Sequence, residues 1–151
     1  MPIELTICCL AAALACVRLG GGLYETGLVD AVWPWRPDIV QPSRGGLSRK
    51  RFWIPAHAAF ELSLLACLAL SWSRPEVRAW LLAALVCQGV MRVWSALDFI
   101  PKALAFERAE PSALRIEDAL RWTRRSRLRL PLDLATCTFM LLALVASARA
   151  G

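Results

Sequence analysis

The chain has little of what soluble enzymes commonly use for chemistry. Its 151 residues include one histidine, His57, and one tyrosine, Tyr24. A single histidine cannot build a 2-His-1-carboxylate iron site. His57 with Glu25, Glu61 and Asp98 would be a weak substitute, so no metal site is expected. No G-x-S-x-G, no glycine-rich phosphate loop and no C-x-x-C pair occurs. Soluble hydrolase, nucleotide and paired-thiol chemistry are therefore disfavoured. No lysine or arginine precedes Arg18, and Glu4 stands where a secretory signal carries its basic region, so no cleavage is expected.

Apolar residues are plentiful. They make up 58% of the chain, against about 45–50% in soluble domains. They gather in four stretches, 3–29, 52–72, 79–100 and 130–147, each near the ~20 residues that cross a bilayer as a helix. Together these leave no room for a separate soluble domain. The expectation is all-α: one integral membrane domain over 1–151, an antiparallel bundle of four transmembrane helices. An amphipathic run at 116–125 sets Ile116, Leu120 and Trp122 against Arg121, Arg124 and Arg125. It is expected to lie in the interface as a helix before the last span.

The net charge of +6 is unevenly placed. Thirteen of the eighteen basic residues fall in the first and third connections, and three fall on the opposite side. Arg18 and Arg92 lie inside spans. By the positive-inside rule the basic connections face the cytoplasm of a bacterial inner membrane and both termini face outward. The excess then serves topology and anionic lipid rather than nucleic acid, and the bilayer is the expected partner. The six cysteines, Cys8, Cys9, Cys16, Cys67, Cys87 and Cys137, all fall in spans and read as small apolar residues. The first connection holds Trp33-Pro34-Trp35-Arg36-Pro37, then Pro42 and Gly45-Gly46, which argue against a long helix there. Trp33 and Trp35 suit a headgroup layer. The segment reads equally well as a lid over the bundle or as a loose interfacial loop.

Ionisable residues inside the spans carry the functional signal, because a charge in hydrocarbon is costly and turns inward to a partner. Helix rise puts Arg18, Glu25, His57, Glu61, Arg92, Asp98 and Asp133 roughly 3–16 Å from the basic end. Their shared level suggests one site. His57 and Glu61 are four apart, on one face, as are Gln88 and Arg92. Glu61 is expected to pair with Arg92, and Arg18 with Glu25 or Glu61. Asp98 is expected to reach Lys102 or His57, and Asp133 lies near Arg129. A histidine beside a carboxylate suits proton transfer near neutral pH. Each feature also has a structural explanation: an interhelical clamp, a capped basic neighbour, a packed core histidine.

Several segments resemble a known family. Gly22-Leu23-Tyr24-Glu25, Arg51-Phe52-Trp53-Ile54-Pro55-Ala56-His57, Met91-Arg92-Val93-Trp94-Ser95, Phe99-Ile100-Pro101 and Arg121-Trp122 through Leu128-Arg129-Leu130-Pro131-Leu132-Asp133 are similar to small four-span bacterial membrane proteins related to anthrone oxygenases. The resemblance implies a four-helix membrane bundle and oxygenation of aromatic polyketides without an evident cofactor. Relatives usually carry a histidine near the tryptophan before the last span; here Trp122 is followed by Thr123-Arg124-Arg125-Ser126. Only Arg129 carries over from that motif.

These features together point first to an enzyme acting on a lipophilic small molecule. His57 would be the acid or base, Glu61 its orienter and Arg92 the oxyanion stabiliser. Tyr24, Glu25, Trp53, Asp98, Arg129 and Asp133 would bind substrate; any cofactor is unknown. A non-catalytic lipid-binding or assembly protein is the second alternative. A glutathione-dependent four-span enzyme is the third. A transporter of this size would have to form a homo-oligomer.

Overall fold

The computed structural model describes residues 2–149, and all its regular elements are helical. Four continuous helical rods run through it: α1 (Ile3–Val32), α2 (Arg49–Leu70), α3 (Pro75–Arg108) and α4 (Ile116–Arg149). Each is long and apolar enough to cross a membrane. Their outward faces carry Leu10, Val17, Leu62, Leu65, Val86, Val90, Leu141 and Val145, all exposed. The packed interior is made partly of small residues. Ala11, Ala12 and Ala15 of α1 meet Cys137, Met140 and Ala143 of α4, the close approach that small side chains permit between membrane helices. Phe60 and Leu64 of α2 and Leu81 and Ala84 of α3 complete that core.

The rods run up and down, and α4 packs closely on both α1 and α3. The short connection at Ser73–Glu76 makes spans two and three antiparallel neighbours, as its length in the sequence implies. There Ser71 N–H donates to Cys67 O, Arg74 N–H donates to Ser71 O, and Pro75 opens α3. Yet α2 and α3 touch far less than the other neighbouring rods do. They diverge from the turn, and the gap between them becomes important below.

At 34 residues, α3 and α4 are each about 51 Å long, well beyond the ~30 Å of a hydrocarbon core. All four rods run past the limits read from sequence at one end or both, α3 and α4 by the most. The helix of α3 was expected to end at Pro101 but continues to Arg108. Pro101 has no N–H to give, and the backbone over Ser95–Phe99 widens into a π-helical turn that accommodates the missing bond. A second π turn, Glu25–Val29, lies in α1. In α4 a 3-10 turn, Arg127–Arg129, precedes Pro131. The expected helix before the last span is present as Ile116–Ser126, running into the span through that turn. Its buried face is Ala119, Trp122, Thr123 and Ser126; Ile116, placed on that face from sequence, is exposed.

The extended ends enclose a second core of Trp33, Val40, Phe99, Ala119 and Trp122. Trp33 was read as a headgroup anchor; it is fully buried, and its indole donates to Asp30 Oδ1 at 3.0 Å. Its ring meets those of Phe106 and Trp122 at 5.2 and 5.8 Å. Trp35 is 62% exposed. The connection is therefore a fixed cover on the basic end. Gln41, fully buried, donates to Phe106 O and Ala109 O and ties it to the end of α3. Gly45 turns the chain with a φ of 85°, and a Cβ on Gly46 would collide with the carbonyls of Asp38 and Ile39.

One cysteine expectation needs correction. Cys8 and Cys67 form a disulfide between α1 and α2 in the half of the bundle away from the basic end. A sequence separation of 59 hid a pairing that the up-down topology creates. Cys9, Cys16, Cys87 and Cys137 are free.

Truncating Trp33 separates core from surface. Trp33→Ala is expected to cost about 3–5 kcal/mol, as for large aromatics removed from a core, whereas Trp35→Ala leaves stability nearly unchanged. Thermal unfolding in detergent, followed by near-UV circular dichroism, checks the difference.

Candidate functional site

A cavity of about 480 Å³ opens among the four rods towards the basic end. Small-molecule sites usually span 300–1,000 Å³. The irregular turns surround it. Glu25 and Thr26 come from the π turn of α1, Ser95 and Phe99 from the π turn of α3, and Arg129 from the 3-10 turn of α4. Such turns displace side chains from regular helical register, and π-bulges often accompany function. Trp53, His57 and Glu61 enter from α2, and Asp133 from α4.

His57 lies on the wall. Its ring stacks on that of Trp53, with centroids 5.4 Å apart, and its Nδ1 is buried without a hydrogen-bond partner. Glu61 was expected to orient it. Instead Glu61 Oε1 accepts from Gln88 Nε2 at 2.9 Å and forms an ion pair with Arg92, whose Nε lies 2.9 Å away. No hydrogen bond joins Glu61 to His57 among the described residues; Trp53 does the orienting. Sharing a helix face puts two side chains near each other, but the stronger partners across the bundle took the carboxylate.

Arg18 was expected to pair with Glu25 or Glu61. It is buried and pairs with Asp133 at 2.9 Å, with its guanidinium 4.6 Å from the Phe60 ring centroid. The close α1–α4 contact brings Asp133 within reach. Glu25 Oε2 accepts from the Trp53 indole at 2.6 Å, and Glu25 Oε1 lies 3.4 Å from Arg49. Arg49 also approaches Glu107 at 3.9 Å, and Lys50 pairs with Glu107 at 3.1 Å. Arg49 and Glu107 were missed as wall residues: Glu107 lies on a stretch of α3 that Pro101 was expected to exclude from the helix.

Two expected contacts are absent from the wall. Tyr24 is 59% exposed on the outside of α1; it precedes the π turn and so points away. Asp98 is held by Lys102, one turn on, and by Arg125 of α4 at 2.7 Å. It joins α3 to α4 and does not reach His57. Arg129 and Asp133 do line the cavity. No group of three His, Cys, Asp or Glu side chains able to hold a metal ion occurs among the described residues.

The gap between α2 and α3 is framed by charge. Glu61–Arg92 crosses it on one side of the cavity, and Lys50–Glu107 crosses it on the other. Between them Ile54 and Ala58 of α2 and Ile100 and Leu104 of α3 line the cavity, and Ile54, Ala58 and Ile100 are exposed. With α2 and α3 loosely packed, the two pairs bound a window roughly 16 Å high along α2, from the eleven-residue separation of Lys50 and Glu61. Its edges are apolar.

Comparison of the chain with family models, curated proteins and solved structures finds no match.

Arg18–Asp133 offers a test of what these pairs do. Arg18→Met leaves Asp133 without its counter-ion and is expected to destabilise the bundle by about 3–5 kcal/mol. Adding Asp133→Leu should recover most of that loss. Unfolding midpoints of the two single variants and the double variant in one detergent give the coupling.

Proposed function

We propose that this is a multi-pass membrane enzyme that draws a lipophilic small molecule from the bilayer and removes a proton from it in the cavity behind that window. The observation that carries this is the position of His57. It is the chain's only histidine, stacked on Trp53 and bare at Nδ1, on the wall of the cavity among the four rods. A neutral imidazole is a competent base for an activated carbon acid. Arg92, ion-paired with Glu61 and on the cavity wall, stabilises the oxygen on which charge develops. Glu61 and Gln88 act as positioning residues for that guanidinium.

The resemblance of the motifs to anthrone oxygenase relatives suggests the next step. The carbanion left by deprotonation passes an electron to dioxygen, the carbon radical and superoxide combine as a peroxide anion, and the His57 imidazolium returns its proton to give the hydroperoxide. Loss of water then leaves a carbonyl: one methylene and one dioxygen give one C=O and one water. Aromatic or polyketide-like substrates fit, because extended conjugation acidifies the C–H. The bacterial inner membrane suits the chain. The positive-inside rule then puts the basic end, and with it the cavity, on the cytoplasmic side.

The test is turnover of a polycyclic anthrone by the full chain in nanodiscs, read as dioxygen uptake and quinone absorbance. His57→Ala should lower kcat by at least about 100-fold with little change in unfolding temperature. Arg92→Lys should lower it less. If His57→Ala turns over as the parent does, His57 is not the base. If the parent chain itself takes up no dioxygen with the anthrone, the enzyme assignment fails and a non-catalytic lipid-binding role takes its place.

A further inference from the structure

Four carboxylates line the cavity, and each has its own cation. Glu61 has Arg92, Glu25 has Arg49, Glu107 has Lys50, and Asp133 has Arg18. Arg129 is left over. No carboxylate lies within 4.0 Å of it among the described residues. Asp30 also lacks a cation at that distance, but it accepts from Trp33 and is not part of the wall.

Arg129 is nevertheless held firmly in place. Its Nε donates to Ser126 O at 3.4 Å, Nη1 to Ser95 Oγ at 3.2 Å and Nη2 to Ser126 Oγ at 2.6 Å. The guanidinium lies 4.5 Å from the Phe99 ring centroid. Three bonds leave two of the five N–H donors that a guanidinium carries. Glu25, Asp133 and Asp30 act on it only from beyond ion-pair distance, and a largely buried cation with spare donors and no direct counter-ion is costly unless something supplies the charge.

We propose that the ligand of this cavity is a lipophilic carboxylate, with its carboxylate on Arg129 and its apolar body reaching the bilayer between α2 and α3. A carboxylate fits the two remaining N–H groups as a forked acceptor. Unlike a phenol, it is ionised at neutral pH and so neutralises the guanidinium throughout. The body of such a molecule would lie along Ile54, Ala58, Ile100 and Leu104, in the window. This rests on reading the cavity as the ligand site and adds the chemical class of the ligand.

The test uses the full chain in nanodiscs of zwitterionic phosphatidylcholine, which removes competing anionic headgroups. Anthracene-9-carboxylate and its methyl ester are the paired probes, read by energy transfer from tryptophan. Palmitate and methyl palmitate compete in a parallel arm and distinguish an aromatic acid from a fatty acid. The acid is expected to bind at least about tenfold tighter than its ester. Arg129→Gln should remove that preference, leaving ester binding within about twofold, while Arg124→Gln on the outer face changes neither. Equal affinity for acid and ester in the parent chain, or a preference that survives Arg129→Gln, overturns the proposal.

Should Arg129→Gln fail to fold, a diazirine-bearing fatty acid is crosslinked to the parent chain. Label on residues 54–58 and 100–104 supports the assignment; label confined elsewhere overturns it. The two proposals fail separately. Arg129-dependent acid binding without turnover removes the enzyme and keeps the ligand. Oxidation of a neutral anthrone with no preference for acids does the reverse.

Discussion

The structure depends on one constraint: a charge within an apolar rod has to find its opposite on another rod. In hydrocarbon, association of helices gains nothing from excluding water. Ion pairs and close packing of small residues must choose which faces meet. Arg18–Asp133 joins α1 to α4, Glu61–Arg92 joins α2 to α3, and Asp98–Arg125 joins α3 to α4. Arg49 reaches Glu25 on α1 and Glu107 on α3. These pairs lie towards the basic end. The opposite half is closed by alanines, leucines and the Cys8–Cys67 disulfide.

That division separates two jobs. The half with the disulfide is a packed core that fixes the bundle. The other half is held by polar contacts around an open space, so its walls are spread apart rather than interdigitated. Four rods interrupted by π turns, a 3-10 turn and Pro55 cannot present a smooth seam there. The departures from regular helix make room for the cavity and aim Glu25, Ser95 and Arg129 along its wall.

How much was legible in the sequence follows from the same physics. The four spans, their up-down order and the level of the ionisable residues were readable, because hydrophobic length and helix rise are local properties. Glu61–Arg92 was readable because both residues had a clear depth and few rivals. The partner of Arg18 was not, since Asp133 comes near only through the tight α1–α4 packing. Tyr24 and Asp98 were misplaced because regular helical spacing was carried into segments that widen into π turns. Glu107 and the burial of Trp33 were hidden for a related cause. Proline signals a helix end only when the backbone cannot absorb the missing bond, and in α3 it does.

The α2–α3 gap shows how a short turn and a loose interface can coexist. A tight connection fixes two helices at one end only. Beyond it, separation is decided by side chains, and here Glu61–Arg92 and Lys50–Glu107 meet across the gap while Ile54, Ala58, Ile100 and Leu104 do not fill it. Two charged pairs spaced along an apolar edge join the rods at two points and leave the stretch between them unfilled. A tight turn at one end and ion pairs at two levels are enough to set the register of α2 on α3 without an interdigitated seam. The charges that give the bundle its register therefore also border its cavity.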